Sequence, residues 1–249
     1  MASLFVSDLH LCAEQPATTA AFLAFLAGPA QTAEELYILG DLFDRWIGDD
    51  APQPEDQPVL AALRVLTDRG IPVWVMHGNH DFLYGARFSA DTGCRLLPDP
   101  SVIDLYGTPT LLMHGDLLCS DDVAYQRFRK MVRDPAWQAE QLAKPVVVRQ
   151  GLARDLQAQS RAHTTNKDQA IMDVSQAEVE SVLRAHSVYQ LIHGHTHRPA
   201  HHRFLLDGRE AQRIVLPNWR TQGDAREKDN MRGGYLACGE KECRILGWV

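Results

Sequence analysis

The sequence predicts an α/β fold built from layers of strands and helices. Short apolar runs that are typical of buried strands alternate with stretches of helical spacing through the first half of the chain. Five of these runs are followed at once by a short polar motif, and α/β sheets collect their functional sites at the carboxyl ends of strands. At 249 residues, we expect a single domain spanning residues 1–249, with room for an insertion.

The individual elements follow from the period of the apolar residues and from the turn residues between them. Strands are predicted at residues 4–6, 36–39, 73–76, 110–113 and 189–192. Helices are predicted at residues 18–26, 57–69, shortly after Asp81, and at 175–186, where Ser175 and Glu178 have the spacing of a capping box. Glycine-containing turns near the C-terminus predict a closing antiparallel set at residues 204–206, 213–216, 235–238 and 243–248.

Residues 121–170 interrupt this alternation. Their apolar residues recur at helical spacing, with breaks at Pro135 and Pro145, and we interpret the segment as an inserted helical cap over the active site. It carries nine Lys or Arg against six Asp or Glu, a local charge of +3 in a chain of net charge −7. The simplest interpretation is that the apolar faces of these helices pack against each other and that the basic residues are solvated. The alternative is that the apolar faces form a slot for a lipid or an aromatic ligand.

The composition excludes several classes of protein. A hydrophobic content of 45% with 23% charged residues is typical of a soluble enzyme, and no apolar run has the length of a membrane span. The net charge of −7 argues against nucleic-acid binding. Five scattered cysteines without C-x-x-C spacing predict reduced, buried thiols. The N-terminus lacks a basic and apolar leader, which predicts a cytoplasmic protein.

The five polar motifs contain the side chains that bind divalent metals. They read D-x-H at residues 8–10, G-D-x-x-D at 40–44, G-N-H-D at 78–81, H-G-D at 114–116 and G-H-T-H at 194–197. Loops at strand ends let short side chains converge, and carboxylate and imidazole suit borderline to hard metals. If Asp41 bridges, two sites of four ligands each can form. The candidate ligands are Asp8, His10, Asp41, Asn79, His114, His195 and His197.

This donor set has no thiolate, so manganese is the first expectation, with iron, zinc or cobalt as alternatives. Two metals about 3.5–4 Å apart activate a hydroxide and neutralise a phosphoryl transition state, which is the chemistry of phosphoester or phosphoanhydride hydrolysis. We expect Asp44 to orient His80, which could protonate a leaving group or hold a phosphate oxygen. A lone histidine is more often structural than a ligand, but five such motifs in this order reverse those odds.

The order of these motifs resembles the calcineurin-like metallophosphoesterase superfamily at every step. Longer stretches at residues 5–11, 37–43, 46–50, 81–83, 111–116, 171–174 and 191–199 are similar to the UDP-2,3-diacylglucosamine hydrolases within it. The resemblance implies a layered fold, a β-sandwich flanked by helices. It also implies an enzyme of lipid A biosynthesis that cleaves the diphosphate of UDP-2,3-diacylglucosamine, giving UMP and 2,3-diacylglucosamine 1-phosphate.

The resemblance further implies which residues hold metal and substrate. One manganese ion would be held by Asp8, His10, Asp41 and His197, and a second by Asp41, Asn79, His114 and His195. Substrate contacts would fall on Asn79, His80, Asp122, Tyr125, Ser160, Thr164, Lys167 and His195. The cap would take the acyl chains. A monomeric enzyme would contact the cytoplasmic face of the inner membrane peripherally, which the basic and apolar cap fits.

Three departures from the family pattern leave the metal centre intact and bear on the recognition of phosphate and glucosamine. His80 stands where members often have Arg, Thr164 where they often have Asn, and Pro217-Asn218-Trp219 where they have Gly-Asp/Ala-Trp. The alternative is another metallophosphoesterase acting on soluble nucleotides, cyclic nucleotides or phosphoproteins. A metal-free scaffold that binds proteins is a third hypothesis; such a protein should have lost ligands, and this chain has all seven.

Overall fold

Two β-sheets packed face to face form the centre of the molecule. The computed structural model describes residues 1–166, 173–219 and 233–248, with side chains for all of these except 157–166. Within these ranges the first sheet has six strands in the order β11-β10-β1-β2-β3-β4, and the second has five in the order β5-β6-β7-β9-β8. The strands of the first sheet are β1 Ser3–Val6, β2 Glu35–Leu39, β3 Val73–Met76, β4 Arg95–Leu97, β10 Gly233–Cys238 and β11 Cys243–Trp248. Those of the second are β5 Ser101–Leu105, β6 Thr108–Met113, β7 Gln190–His193, β8 Ala200–Leu206 and β9 Arg209–Val215.

Helices cover the outer faces of both sheets. Alternate side chains of β1 and β2, such as Phe5 and Leu39, meet Ile192 of β7 in the layer between the sheets. The other face of the first sheet packs against α1 and α2, and the outer face of the second packs against α7. The helices are α1 Pro16–Ala27, α2 Gln57–Asp68, α3 Ala86–Thr92, α4 Val123–Val132, α5 Pro135–Leu142, α6 Val146–Asn166 and α7 Gln176–His186. None of the described helices is both long and apolar enough to cross a membrane.

The segment between β6 and α7 contains α4, α5 and α6. Asp122 caps α4 by accepting a hydrogen bond from the Tyr125 N–H at 3.1 Å. Asp134 caps α5 in the same way through the Trp137 N–H at 2.9 Å, with Pro135 in the first turn. Asp134 and Pro135 separate α4 from α5, since a capping aspartate and a proline in the first turn mark the start of a new helix.

Two predictions about the C-terminal strands need correction. The four closing strands do not form one antiparallel set: β8 and β9 join the second sheet, where β9 runs parallel to β7, whereas β10 and β11 extend the first sheet from β1. The prediction of reduced thiols is wrong for Cys238 and Cys243, which face each other across the β10–β11 hairpin and form a disulfide. Cys94 and Cys119 are buried thiols outside any disulfide, as predicted, whereas the Cys12 thiol is only half-buried.

Candidate metal centre and substrate cavity

All five motifs lie at the carboxyl ends of strands, from β1, β2 and β3 in one sheet and β6 and β7 in the other. The loops that follow these strands are joined directly. The Asp8 N–H donates to the Gly40 carbonyl at 3.2 Å, and the Gly194 N–H donates to the His114 carbonyl at 2.8 Å. The predicted ligands are therefore brought to one point where the two sheets meet.

Asn79, His114 and His195 form one half of this cluster. The Asn79 Oδ1 atom lies 2.9 Å from the His114 Nε2 atom and 2.9 Å from the His195 Nδ1 atom. Asp41 completes this half, with its Oδ2 atom 3.7 Å from the His114 Nε2 atom.

Asp8, His10 and His197 form the other half. The His10 and His197 Nε2 atoms are 3.4 Å apart, and the His197 Nε2 atom lies 3.4 Å from the Asp8 Oδ1 atom. The Asp41 Oδ2 atom is 3.6 Å from the His10 Nε2 atom. This carboxylate therefore lies between the two halves, as expected of a bridging group.

The donor atoms fit a divalent metal. Among the described residues the fully buried Asp8 Oδ1 atom accepts no hydrogen bond, although its partner Oδ2 accepts the His195 N–H at 2.8 Å. An unpaired buried carboxylate oxygen is costly unless a cation satisfies it. Candidate groups such as Asp8, His10 and His197, or Asp8, Asp41 and His114, have donor atoms within 4.8 Å of one another.

The pKa values of the cluster reflect burial and mutual charge. Burial raises the pKa of Asp41 to about 6, although His114 and His80 oppose the change. Burial alone would lower the pKa of His114, but the carboxylates of Asp41 and Asp116 raise it to about 9. Burial and the charge of His114 lower the pKa of His195 to about 4. At neutral pH a metal must displace a proton from this cluster.

The backbone of the cluster adopts left-handed conformations. Eight of the described non-glycine residues have a positive φ, and five of these are predicted ligands. Such conformations store strain and concentrate at functional sites. The five ligands are Asp8 (φ 57°), His10 (47°), Asp41 (53°), His195 (68°) and His197 (54°).

Glycine permits the close approach of these loops at two positions. A Cβ atom on Gly78 would lie 2.0 Å from the Asp41 Oδ1 atom, and one on Gly194 would lie 2.1 Å from the Ser7 Oγ atom and 2.3 Å from the Asp8 Oδ2 atom. No larger residue fits in either place, so these glycines set the spacing between the ligand loops.

Asp81, the last residue of G-N-H-D, holds two of the loops together. It is fully buried, and its carboxylate accepts four backbone N–H bonds and one phenol bond. The donors are the N–H groups of Asp41 (3.1 Å), Leu42 (2.7 Å), Phe43 (3.2 Å) and Gly78 (2.8 Å) and the hydroxyl of Tyr84 (2.6 Å). The motif spacing did not assign this role; the available signal was an aspartate followed at once by the apolar residues Phe82 and Leu83.

His80 lies at the edge of the cluster and is held by Asp44. The His80 Nδ1 atom lies 3.0 Å from the Asp44 carbonyl oxygen and 3.5 Å from its Oδ1 atom. Because a carbonyl oxygen only accepts, Nδ1 carries a proton and Nε2 is left for the cavity that His80 lines. Burial would lower the pKa of His80, but the Asp41 and Asp44 carboxylates raise it above its ordinary value.

A cavity of about 600 Å³ opens onto the cluster. One part is lined by polar residues of the centre, including His10, Asn79, His80 and His195. The rest has an apolar wall contributed by the loops after β2 and β3 and by helices α4, α5 and α6. The apolar lining residues are Trp46, Ile47, Phe82, Leu83, Phe128, Trp137, Leu152 and Leu156.

The predicted substrate contacts fall into two groups. Asp122 and Tyr125 line the cavity, and the Tyr125 ring is stacked near His195, with centroids 6.0 Å apart, while its hydroxyl donates to Asp116 at 2.7 Å. The described part of the structure does not include the side chains of Ser160 and Thr164, and Lys167 lies outside it altogether. The substrate-binding roles of both groups stay predictions.

A family model described as calcineurin-like phosphoesterase matches residues 1–199. The chain belongs to this family, and the predicted fold class and hydrolytic chemistry are confirmed.

Curated relatives within this family are named UDP-2,3-diacylglucosamine hydrolase. The chain is 51% identical over 223 residues to one from Escherichia coli O81, a match that covers 90% of this chain and 93% of the relative. It is 50% identical, with the same coverage, to one from Escherichia fergusonii. The resemblance that the longer motif stretches predicted is therefore confirmed.

Among solved structures, one described as a novel archaeal phosphodiesterase aligns over 99% of both chains, with 12% sequence identity and a TM-score of 0.47. A likeness of that size carries no argument about activity.

Proposed function

We propose that the protein hydrolyses the diphosphate of UDP-2,3-diacylglucosamine to UMP and 2,3-diacylglucosamine 1-phosphate, as a step of lipid A biosynthesis. The names of relatives at 51% identity over 90% of the chain support this substrate. The observation that carries the proposal is the cavity, which joins the cluster of metal-binding side chains to an apolar chamber.

The apolar chamber suits a substrate with long hydrocarbon chains. Phe82 and Trp137 pack against each other with ring centroids 6.1 Å apart, and both line the cavity beside Phe128 and Leu156. Each CH₂ group of an acyl chain that leaves water for such a wall contributes about 0.8 kcal/mol. A soluble nucleotide carries no hydrocarbon chain that would gain from this contact.

The metal-binding residues support a dinuclear centre with Asp41 shared. Asp8, His10, Asp41 and His197 would hold one Mn²⁺, and Asp41, Asn79, His114 and His195 the other. When bound, such ions supply an activated hydroxide and neutralise charge on the phosphoryl group.

His80 acts beside this centre. With Nδ1 bonded to the Asp44 carbonyl, the protonated Nε2 atom can donate to a phosphate oxygen or to the departing phosphate. Asp44 is a positioning residue, since it fixes the ring through both its carbonyl and its carboxylate. Tyr125 offers the face of its ring beside His195, because its hydroxyl is bound to Asp116.

We propose that residues 121–170, of which the structure describes 121–166, belong to a cap over the active site within the single domain 1–249. We propose that this cap also contacts the cytoplasmic face of the inner membrane, with the enzyme a peripheral monomer. Met131, Val147 and Val148 are exposed apolar residues of the cap, with Val147 68% exposed, and the basic Lys130 adjoins Met131. Sedimentation with anionic vesicles tests the contact: Val147→Asp combined with Val148→Asp should lower the bound fraction, and equal binding would contradict it.

Release of UMP tests the proposed reaction. Purified protein is incubated with UDP-2,3-diacylglucosamine in detergent, with Mn²⁺ or with EDTA, and UDP-N-acetylglucosamine serves as the matched substrate without long chains. We expect metal-dependent UMP release that is much faster from the acylated substrate. If no UMP is released from the lipid while bis(p-nitrophenyl) phosphate is still hydrolysed, a phosphoesterase acting on soluble substrates is favoured instead. The observation that supports this alternative is His80, which stands at the position where the superfamily usually has histidine.

A further inference from the structure

Asp116, the last residue of H-G-D, has no place in the proposed ligand set and is fully buried. Its Oδ2 atom accepts the Tyr125 hydroxyl at 2.7 Å. Its Oδ1 atom lies 2.9 Å from the Nε atom of Arg129, which belongs to α4 in the cap. A buried motif carboxylate is therefore paired with a cation from the cap.

Arg129 also reaches a second carboxylate. Its Nη2 atom donates to the Asp99 Oδ2 atom at 2.7 Å, and the other Asp99 oxygen accepts the backbone N–H of His114 at 3.3 Å. Arg129 thus lies between two acids that contact the loop carrying His114. Its side chain is only 14% exposed.

The same network extends to His195. Tyr125, which Asp116 holds by its hydroxyl, places its ring beside the His195 ring. Arg133, the C-cap residue of α4, donates from Nη2 to the carbonyl of Gly78 at 3.0 Å, immediately before Asn79. Helix α4 and its C-cap residue therefore contact the supports of three predicted ligands.

The charges in this network are mutually dependent. Burial alone would lower the pKa of Arg129, but Asp116 and Asp99 raise it. Removal of the guanidinium would leave two buried carboxylates without the one cation that contacts both of them, which is unfavourable.

We infer that Arg129 is a positioning residue of the metal centre, acting from the cap through Asp99 and Asp116 on the loops of His114 and His195. The inference rests on the dinuclear centre of the proposed function but not on the identity of the substrate. It makes α4 a wall of the site that is joined to the loops of the predicted ligands.

The test measures Mn²⁺ binding to EDTA-stripped protein by calorimetry, together with kcat and KM. Loss of a group that supports metal ligands typically costs about 10- to 100-fold in affinity or activity, so Arg129→Met should weaken Mn²⁺ binding by about tenfold or more. Arg129→Lys keeps the charge but cannot span both acids, and should fall between Arg129→Met and wild type. Arg127→Gln, at an exposed position on the same helix, is the matched control and should bind Mn²⁺ like wild type.

A double variant separates positioning from general stability. Arg129→Met combined with Asp99→Asn removes the excess buried charge, so its melting temperature should recover while Mn²⁺ binding stays weak. Unchanged Mn²⁺ affinity in Arg129→Met, or affinity that recovers with the melting temperature in the double variant, would overturn the inference. The UMP assay decides the proposed reaction separately: wild type that binds Mn²⁺ but releases no UMP would end that proposal and leave this one standing.

Discussion

Replacement of Asp81 by Asn should cost the protein a large part of its stability. The two carboxylate oxygens of Asp81 each accept two backbone N–H groups, and Oδ2 also accepts the Tyr84 hydroxyl. An asparagine side chain has one oxygen. In either orientation of the amide, two backbone N–H groups would face an NH₂ group that cannot accept a hydrogen bond.

The magnitude follows from these two lost bonds. A hydrogen bond to a charged acceptor contributes about 1.5–3 kcal/mol, so Asp81→Asn should lower the free energy of unfolding by about 3 to 6 kcal/mol. Folded proteins are stable by only about 5–15 kcal/mol. Since the lost bonds hold the loops of Asp41 and Asn79, metal affinity should fall as well, by about tenfold or more.

Urea unfolding of metal-free protein, analysed by linear extrapolation, measures the effect. Tyr84→Phe is the matched control, because it removes only the phenol bond to the same carboxylate and should cost about 1.5–3 kcal/mol. If Asp81→Asn stays within about 1 kcal/mol of wild type, the assignment of Asp81 as the support of both loops is wrong.

Three further predictions concern the centre and the cavity. Asp41→Asn should lower metal content and reduce turnover more than about 100-fold, as checked by metal analysis and UMP release; retention of both metals would remove its bridging role. The raised pKa of His114, about 9, keeps a proton on this predicted ligand below that pH. Mn²⁺ affinity should therefore rise by up to about tenfold per pH unit from pH 7 to 9. Calorimetry that shows a constant Kd over this range would contradict this. Trp137→Ala should raise KM for UDP-2,3-diacylglucosamine by about tenfold or more, but leave bis(p-nitrophenyl) phosphate hydrolysis unchanged; an equal effect on both would place Trp137 outside acyl binding.

Local patterns in the sequence predict much of the fold. The five strands that carry the motifs were predicted to within two residues at each end, since they are continuous apolar runs bounded by glycine or polar residues. Strands β4 and β5 were missed, because they are short and partly exposed and their sequences do not alternate cleanly between apolar and polar residues. The division of the C-terminal hairpins between two sheets was also missed, since strand pairing depends on tertiary contacts that glycine-rich turns do not encode.

The candidate site, like the fold, could be predicted only in part. The seven predicted ligands lie together in the structure, because each belongs to a short motif at a strand end. Their role as metal ligands stays a prediction. Arg129 could not be predicted, since its partner Asp99 is thirty residues away in sequence and a basic residue on a helix is usually solvated. Only the tertiary fold reveals that this cation is buried.

The left-handed backbone of the ligands decides how the centre can be mutated. Aspartate, asparagine and histidine are the non-glycine residues that adopt this conformation most readily, so the predicted metal ligands are also the residue types that suit these turns. Alanine at Asp8, Asp41 or His197 would therefore change metal affinity and backbone energy together. Asparagine removes the charge while preserving the turn, and glycine removes the whole side chain while relaxing it. Comparison of the alanine and glycine variants at one position would separate the cost of losing a ligand from the cost of bending the chain, since both remove the ligating group and only glycine relaxes the turn.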